Sequence, residues 1–572
     1  MEEFLLLSKE KEVIKLDFNI FIGGEAGQGL KTVESLLTKT FSRYGYYLFS
    51  SKDYMSRIRG GHNFMQVRIS DEKVDGPDTG IDLLLALNKK TVEIHRDDVN
   101  EDGVIISSSG DGEDDIVKID AAGIAKEINP KAANTVFVGT ALKVLGLPLT
   151  EAEKVLEEHF ADKKSVIEDN KKLLKKGYEA GRQLFNLKDL GSKKDRMIID
   201  GNSAVGLGAA IAGVSFYAAY PMSPSTGILN YLAGKQEELG IVVEQAEDEI
   251  AAINMTLGGS YSGMRSMTGT SGGGLALMAE GVGLAGITET PVVIADVQRP
   301  GPATGLPTRT GQGDLLFAVN ISQDEFPLMV LAPKDQEDAV YQTFRAFDIA
   351  EKYQIPVIIL SDQFLADASK TIDRIKLDDL KIERYFVDKD QVEGEYKRYK
   401  YTKDGISPRA YPGQIKGQVV LADSDEHDEL GHIVEDGEKR NMMVEKRAKK
   451  LQKLKDEDLW EPDYYGPDRP EYILVGWGSS AGPIAEARKL LSDECKVAQL
   501  AFGDVWPLPE KTIREKVENG AELVFVEINA SSQFARLVRS ETGIKADYSI
   551  VKYDGRPFSG REIYRRFKKE VK

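Results

Sequence analysis

The chain has 572 residues and a formal net charge of −18, a length that predicts roughly three or four domains because a single hydrophobic core stops growing near ~250–300 residues. This acidity argues against nucleic acid or an anionic membrane as the main partner, since phosphate groups are bound by basic surfaces. No apolar run approaches the ~20 residues that cross a bilayer, and the acidic N-terminal stretch has too short an apolar part for a signal peptide, so we expect a cytoplasmic protein.

A single cysteine, Cys495, limits the redox chemistry of the chain. No disulfide can form within the chain. The chain alone also cannot ligate an iron–sulfur cluster, which takes several thiolates. Electron transfer through such a cluster would therefore require a partner.

Residues 1–192 are predicted to form an α/β domain. An apolar strand at 17–22 is followed by the glycine-rich loop GGEAGQG at 23–29 and by a helix at 30–44. A glycine-rich turn between a strand and a helix can cradle a phosphate group with its backbone N–H groups. The spacing fits neither a P-loop nor a Rossmann motif, so a turn needed only for packing is the alternative.

A basic loop follows in this domain. Arg57, Arg59 and His62 would suit a phosphorylated ligand. A basic surface that meets an acidic partner is the other interpretation.

A lysine-rich helix at 170–187 and a polar run at 189–196 lead into a second domain, which we place at 193–367. Four short apolar runs in it are separated by helix-length segments, and each is followed by polar or glycine-rich residues. The runs lie at 214–219, 241–243, 266–270 and 291–297. This pattern predicts a parallel α/β sheet. Parallel sheets bind ligands at the carboxyl ends of their strands, so the polar segments should share one rim.

The residues on this rim indicate a site for a small oxoacid. Arg299 offers a planar, permanently charged fork that suits a carboxylate, and Ser223, Ser225 and Thr226 offer hydroxyls beside it. The acidic stretch 247–249 opens a helix, where carboxylates can simply cap the N-terminus. The alternative is that one of them shares a proton with a ring nitrogen of a cofactor.

Residues 368–470 are dense in charge and poor in apolar periodicity, with a basic helix at 441–455. Composition alone predicts a flexible linker. His427 and His432 have carboxylates between them, so a metal site and a pair of solvated loop histidines are both open interpretations.

Residues 471–572 are predicted to form a third α/β domain. Its GWGSSAG loop lies between a strand and a helix, which invites a nucleotide-binding interpretation. The spacing is not that of a Rossmann motif, and no acidic residue ends the next strand, so a structural role is favoured.

The motifs YPMSPST, EQAEDEIAAINM, MTGTSGGG and DVQRPGPATGLPTRTGQGDL occur in this order in the central domain. Together they resemble the pyrimidine-binding domain of the 2-oxoacid:ferredoxin oxidoreductases, which are thiamine diphosphate enzymes. The resemblance implies that Glu249, with Glu247 as the alternative, hydrogen-bonds the aminopyrimidine ring and promotes loss of the thiazolium C2 proton. It also implies that Arg299 binds the substrate carboxylate with the help of the Ser223 hydroxyl. The implied cofactor-binding residues are Tyr220, Pro221, Glu249, Thr270 and Ser271.

The rest of the chain resembles the same enzymes. GGEAGQG followed by KDYMSRIRGGHNFMQVRIS is similar to their gamma domain, which is associated with coenzyme A. The candidate coenzyme A-binding residues are Gly24, Gly27, Gln28, Gly29, Arg57 and Arg59. DGISPRAYPG and EHDELGHIVED resemble landmarks of the alpha subunit, so we expect an ordered arm at 368–470 that wraps a neighbour. Residues 471–572 resemble the transketolase C-terminal-like domain, which mainly builds subunit interfaces.

The predicted fold class is therefore α/β with several domains, and no metal ligand is assigned to this chain. Gly110-Asp111-Gly112 and the later Asn134 are similar to the residues with which thiamine enzymes hold Mg²⁺ and a diphosphate. The surrounding stretch is acidic and turn-rich, and its carboxylates would repel a diphosphate, so we interpret it as a surface turn.

The implied function is that of an alpha subunit of the fused gamma–alpha type, in an enzyme that oxidatively decarboxylates a 2-oxoacid to acyl-CoA and CO₂ and reduces ferredoxin. We favour 2-oxoglutarate as the substrate, with pyruvate as the alternative. The resemblance places Mg²⁺, the diphosphate site and a [4Fe-4S] cluster on a beta subunit, and implies a dimer of alpha–beta heterodimers.

Two rival interpretations are open. One is a subunit of a thiamine diphosphate enzyme without iron–sulfur clusters, which the iron content of the complex would reveal. The other is a non-enzymatic nucleotide- or acyl-CoA-binding protein, which would bind its ligand tightly as an isolated chain.

Overall fold

The computed structural model describes residues 16–55, 60–108, 115–161 and 163–572. The chain divides into two compact units. The first unit comprises Met1–Val74 and Asp78–Ile198, and the second comprises Asp75–Pro77 and Ile199–Lys572.

The first unit is built on a mixed sheet covered by helices. Its strands are β1 (Asp17–Ala26), β2 (Tyr47–Asp53), β3 (Gly60–Ser70), β4 (Ile81–Ala86), β5 (Val99–Ser107) and β6 (Ile116–Lys118). Its helices are α1 (Leu30–Arg43), α2 (Lys89–His95), α3 (Ala121–Lys126), α4 (Asn134–Leu145), α5 (Thr150–His159) and α6 (Lys164–Ala180). The strands lie in the order β6-β5-β4-β1-β3-β2, with β1 parallel to β4 and antiparallel to β3.

The core of this unit follows from the alternation of side chains along β1. Ile20 and Ile22 point to one face and pack with Val33 and Leu37 of α1, whereas Phe21 points to the other face. The helix predicted to end at residue 44 ends one residue earlier, at Arg43.

Two further elements of the first unit have boundaries that differ from the sequence-based prediction. The strand predicted over 17–22 continues to Ala26, because the glycine-rich loop at first keeps pairing with β3. The helix predicted over 170–187 is α6, which ends at Ala180. Beyond it, the N–H groups of Leu184 and Phe185 donate to the carbonyl oxygen of Val144 at 3.0 and 2.8 Å. These bonds satisfy a carbonyl that the end of α4 leaves without an intrahelical partner.

The second unit contains two sheets. Its strands are β7 (Arg196–Asp200), which spans the boundary between the units, β8 (Phe216–Ala219), β9 (Val242–Gln245), β10 (Ser266–Thr270), β11 (Val292–Gln298), β12 (Met329–Leu331), β13 (Pro356–Asp362), β14 (Ser369–Asp373), β15 (Asp463–Tyr465), β16 (Tyr472–Trp477), β17 (Val497–Phe502), β18 (Asp504–Trp506), β19 (Glu522–Glu527) and β20 (Tyr548–Val551). Its helices are α7 (Gly201–Ile211), α8 (Thr226–Ala233), α9 (Gln236–Leu239), α10 (Glu249–Tyr261), α11 (Gly272–Leu277), α12 (Ala279–Ile287), α13 (Leu315–Val319), α14 (Gln336–Tyr353), α15 (Gln363–Asp367), α16 (Gly437–Glu457), α17 (Ala481–Leu491), α18 (Lys511–Glu518), α19 (Gln533–Thr542) and α20 (Gly560–Glu570).

The central sheet has the strand order β18-β12-β13-β11-β10-β8-β9, and the second sheet has the order β15-β17-β16-β19-β20. The strands β7 and β14 belong to neither of these two sheets. The central strands pair in parallel, as predicted, except for β18, which is antiparallel to β12. Because β18 comes from the predicted domain 471–572, that segment contributes a strand to the sheet of segment 193–367. The boundaries proposed between the segments of this unit stay predictions.

The arm at 368–470 packs against the central sheet domain of its own chain through buried ion pairs. Lys446 Nζ lies 2.5 Å from Glu289 Oε1, and Lys450 Nζ contacts the other oxygen of the same carboxylate. Arg398 donates a hydrogen bond of 2.7 Å to the carbonyl oxygen of Glu289. Contact between this arm and a neighbouring subunit stays a prediction.

Candidate active site

The carboxyl ends of β8, β10 and β11 bring the predicted rim together. The strands are in register through the pairs Met267–Tyr217 and Thr270–Asp296, so the segments that follow them emerge at one edge. These segments are the loop at 220–226, the glycine-rich turn at 270–274 and Arg299. The helix α10 follows β9 at the same edge.

At the acidic start of α10, Asp248 caps the helix and Glu249 is buried. Asp248 is the N-cap, and its Oδ1 accepts a hydrogen bond of 2.7 Å from the backbone N–H of Ala251. Glu249 is therefore not needed for capping. Its side chain is 4% exposed, and its Oε1 has no hydrogen-bond partner among the described residues. Glu247, the alternative carboxylate, is exposed.

Arg299 connects the end of β11 with the loop after β8. Its Nη1 donates a hydrogen bond of 2.6 Å to the carbonyl oxygen of Ser223. Burial lowers the pKa of the guanidinium, and the charges of Asp314 and Glu249 oppose that shift. Arg299 thus interacts with two carboxylates at the rim.

In the loop at 220–226, some of the predicted site residues are exposed, and one is buried and makes a hydrogen bond within the loop. Tyr220 and Ser223 are exposed, and Pro221 is half-buried. Ser225 is buried, and its hydroxyl donates to the carbonyl oxygen of Met222 at 2.8 Å, so this hydroxyl is not offered to a ligand.

The turn after β10 is a tight cradle. Thr270 and Ser271 are fully buried, and the Ser271 hydroxyl has no partner among the described residues. A Cβ atom on Gly274 would lie 2.1 Å from Thr270 Oγ1 and 2.8 Å from Glu249 Oε1. Glycine at 274 therefore allows the Glu249 carboxylate to lie directly against the turn.

Two acidic residues at this site had no role in the prediction. Asp296 lies in β11, and burial, with the nearby Asp314, raises its pKa well above the ordinary value. Burial raises the pKa of Asp314 to about 6, although Arg299 lowers it. The only sequence signal for Asp296 is an acid inside the apolar run PVVIADVQ.

The predicted phosphate loop of the first unit is shaped by Gln28. Its Oε1 accepts hydrogen bonds from the backbone N–H of Glu25 at 2.7 Å and from Asn88 Nδ2 at 3.0 Å. Gly27 and Gly29 have φ angles of 94° and 76°. Gly29 precedes α1, where no side chain caps the helix. Uncapped N–H groups at the start of a helix of this length suit a phosphate group.

The side chains around this loop differ in part from the prediction. Gly24, within the loop, lies close to the Gln28 side chain, since a Cβ atom on Gly24 would be 2.8 Å from Gln28 Oε1. His62 Nε2 lies 2.8 Å from His95 Nε2. Burial, followed by the charge of His95, lowers the pKa of His62 to about 4, so His62 is uncharged near neutral pH. Arg57 and Arg59 lie outside the described residues.

Asn134 and His427, two further candidate residues, make contacts within the protein. Asn134 Nδ2 donates to the carbonyl oxygen of Gln28, and residues 110–112 lie outside the described part of the chain. His427 is buried, with its ring centroid 3.9 Å from that of Tyr399. In the described ranges, no group of three or more His, Cys, Asp or Glu side chains is placed to hold a metal ion.

In the GWGSSAG loop, both serine hydroxyls make internal hydrogen bonds. Ser479 donates to Asp362, and Ser480 donates to the carbonyl oxygen of Trp477 at 2.7 Å. This use of the hydroxyls agrees with the structural interpretation of the loop.

Across the described residues, no helix has both the length and the apolar character to span a membrane.

Comparisons with known proteins show the family of the chain. A family model described as "Pyruvate flavodoxin/ferredoxin oxidoreductase, thiamine diP-bdg" matches residues 207–446. A second, "Pyruvate ferredoxin/flavodoxin oxidoreductase", matches residues 19–180. The chain is 32% identical to the 2-oxoacid:ferredoxin oxidoreductase subunit alpha of Sulfolobus sp., over 96% of each chain. It is 29% identical to the 2-oxoglutarate oxidoreductase subunit KorA of Mycobacterium tuberculosis, over 96% of this chain and 90% of that protein.

A solved structure is similar over almost the whole length. It is the 2-oxoglutarate:ferredoxin oxidoreductase from Magnetococcus marinus with 2-oxoglutarate, coenzyme A and succinyl-CoA bound. The two share 32% identity and a TM-score of 0.91, over 97% of this chain and 100% of that chain. This similarity confirms the predicted α/β fold class. The chain belongs to the family of 2-oxoacid:ferredoxin oxidoreductase alpha subunits.

Proposed function

We propose that this chain is the alpha subunit of a thiamine diphosphate-dependent enzyme that converts a 2-oxoacid and coenzyme A to acyl-CoA and CO₂, and passes two electrons to ferredoxin. The observation that carries the proposal is the buried carboxylate of Glu249, which lies near Arg299 at the carboxyl ends of parallel strands and whose Oε1 has no hydrogen-bond partner among the described residues. A buried polar oxygen without a partner costs free energy unless a ligand satisfies it.

The residues around Glu249 fit the aminopyrimidine of thiamine diphosphate. Glu249 Oε1 would bond the ring, and the Ser271 hydroxyl, also unpartnered in the described part of the chain, offers a second polar contact. Tyr220, Pro221 and Thr270 would line the same cradle. When bound, the cofactor supplies an electron sink for the bond that is broken on decarboxylation. Glu249 would hold the proton that the ring nitrogen needs.

Arg299 would bind the substrate carboxylate. Its hydrogen bond to the Ser223 carbonyl orients the guanidinium, and the exposed Ser223 hydroxyl is placed on the same loop. A guanidinium can bind a carboxylate through two parallel N–H donors, which fixes the direction of the substrate.

The glycine-rich loop of the first unit would bind a phosphate of coenzyme A. The backbone of Gly24, Gly27, Gln28 and Gly29 would form the loop around the phosphate, and the uncapped start of α1 would supply N–H donors. Arg57 and Arg59 remain candidate partners for the other phosphates.

The enzyme requires a second subunit under this proposal. The single cysteine cannot ligate a cluster, so a beta subunit would carry the [4Fe-4S] cluster that reduces ferredoxin. The same subunit would hold Mg²⁺ and the diphosphate, and two alpha–beta heterodimers would associate. The names of the relatives as alpha subunits support a multi-subunit enzyme. We place it in the cytoplasm.

We favour 2-oxoglutarate as the substrate because relatives and the similar solved structure carry that name. Pyruvate is the alternative.

The test is anaerobic purification of the chain with its natural partner. Iron, thiamine and reduction of a viologen dye are then measured with 2-oxoglutarate and with pyruvate, with and without coenzyme A. We expect a cysteine-bearing partner, iron and coenzyme A-dependent dye reduction with 2-oxoglutarate. An active complex without iron would favour a thiamine enzyme of another class, and a chain that purifies alone and reduces no dye would contradict the proposal.

A further inference from the structure

Two aspartates beside the proposed substrate site have no part in the chemistry described above. Asp296 is completely buried in β11, in register with Thr270 of the glycine-rich turn. Neither of its carboxylate oxygens has a hydrogen-bond partner in the described ranges. Asp314, just before α13, likewise has an Oδ2 atom without a partner there.

The backbone holds Asp314 close to both Arg299 and the turn. Gln298, the residue before Arg299, accepts a hydrogen bond of 3.0 Å from the backbone N–H of Asp314 through its Oε1. On the other side, a Cβ atom on Gly272 would lie 2.4 Å from Asp314 Oδ2. The Asp314 carboxylate therefore lies against the first glycine of the turn, and the Glu249 carboxylate lies against the third.

The charges around this pair are unbalanced. Asp314 faces Asp296, which lies in β11, and Arg299, which follows the end of β11. Glu249, the first residue of α10, faces Arg299. Asp362, opposite Gln298 on β13, accepts a hydrogen bond from the Ser479 hydroxyl. A substrate carboxylate would add a further negative charge to a site where water screens charges poorly.

We propose that Asp314, supported by Asp296, takes up one proton from solvent when the carboxylate of a 2-oxoacid pairs with Arg299. This inference rests on the proposed function. Before substrate binds, the positive charge of Arg299 favours the ionised form of Asp314. The substrate carboxylate neutralises that charge and adds its own, and both changes favour the protonated acid. The proton binds a carboxylate oxygen of Asp314, and no bond of the substrate forms or breaks.

Asp296 and Asp314 are positioning residues in this account, since neither touches the reacting atoms. Burial and the nearby Asp314 raise the pKa of Asp296, which favours its neutral form, and a neutral carboxylic acid has an O–H donor. The consequence is measurable: because binding takes up a proton, the KM for the 2-oxoacid should rise with pH above about 6, by up to about tenfold per pH unit.

The test uses the purified complex with its cofactors. The KM of the preferred 2-oxoacid is measured by dye reduction from about pH 6 to about pH 8.5, a range in which the substrate stays ionised. Proton uptake is measured by calorimetry, in buffers of different ionisation enthalpy, with an unreactive isostere: N-oxalylglycine for 2-oxoglutarate or oxamate for pyruvate. We expect uptake of about one proton per site near pH 7.5.

Asp314→Asn should abolish this uptake, flatten the pH dependence of KM and lower KM at about pH 8 by about tenfold or more, with a similar kcat. A change that only disturbed packing would not lower KM. Asp296→Asn should keep the pH dependence, because an amide replaces a neutral acid. Asp248→Asn, which retains the N-cap of α10, is the matched control and should also keep it.

Different outcomes separate this inference from the proposed function. An active complex that binds the isostere without proton uptake, or whose KM is flat with pH, overturns only the inference. So does an unchanged pH dependence in Asp314→Asn, or its loss in Asp296→Asn alone. If no 2-oxoacid supports dye reduction, the proposed function fails and the inference fails with it.

Discussion

The guanidinium of Arg299 is tied to the backbone of Ser223 by a hydrogen bond of 2.6 Å from Nη1 to the carbonyl oxygen. This bond joins two segments that are distant in sequence, and it leaves the planar fork at the edge of the sheet. The direction of the fork is thus set by the protein before any substrate binds.

Arg299→Lys should raise the KM for the 2-oxoacid by about 10- to 150-fold, because a charge-assisted hydrogen bond is worth ~1.5–3 kcal/mol and a point charge replaces a two-donor fork. The affinity for thiamine diphosphate should change little. Both are obtained from steady-state dye reduction at varied substrate and cofactor. Arg440→Lys, a change on the arm, is the control, and an unchanged KM in Arg299→Lys would contradict the assignment.

Gly274→Ala should reduce kcat by at least about tenfold, because the new Cβ would lie 2.1 Å from Thr270 Oγ1 and 2.8 Å from Glu249 Oε1 and would displace the carboxylate that acts on the cofactor. Gly273→Ala is the matched control in the same turn, where the nearest atom to the new Cβ is 3.7 Å away. We expect near-normal turnover in that variant. Equal activity in both variants would show that Glu249 is not held by this contact.

Glu289→Gln should destabilise the attachment of the arm. It leaves Lys446 and Lys450 buried without their carboxylate, a change that typically costs ~3–5 kcal/mol. The midpoint of thermal or denaturant unfolding should therefore fall. Glu280→Gln, at an exposed position nearby, should leave the midpoint unchanged. A similar midpoint for both variants would argue against a stabilising role of the cluster.

The stability of the first unit should fall as the pH decreases from about 6.5 to about 4. Burial and His95 depress the pKa of His62 from 6.5 to about 4 in the folded chain, so the unfolded chain binds more protons in this window and is favoured there. Above about pH 6.5 the contribution is fully present. His62→Gln should weaken this pH dependence, as followed by hydrogen exchange of the first unit. His432→Gln, at an exposed side chain, should not.

The sequence predicts the strands and Arg299 at this site, but it does not predict the acids Asp296 and Asp314. The strand at 266–270 is predicted to the residue, since a short apolar run before a glycine-rich turn has few alternatives. Arg299 is predicted because a permanent charge after a buried strand is conspicuous. Asp296 and Asp314 are missed, because an acid in an apolar run or beside a glycine shows its burial only once the turn at 272–274 is folded.

Long-range packing explains the other differences. The charged composition of 368–470 predicts a linker. In the structure, Lys446 and Lys450 are buried, and both form ion pairs with the carboxylate of Glu289, which lies far from them in sequence. No local pattern carries that pairing. In the same way, β18 joins the central sheet through β12, which lies far from it in sequence.

The most direct test of the account is the activity of Glu249→Gln in the intact complex, compared with Glu247→Gln. We expect Glu249→Gln to assemble and to retain iron, but to lose 2-oxoacid-dependent dye reduction by about 100-fold or more, because an amide cannot exchange the proton that the cofactor ring needs. Glu247→Gln, at an exposed position two residues earlier, should remain active. Normal turnover by Glu249→Gln, or loss of activity only in Glu247→Gln, would contradict the central claim.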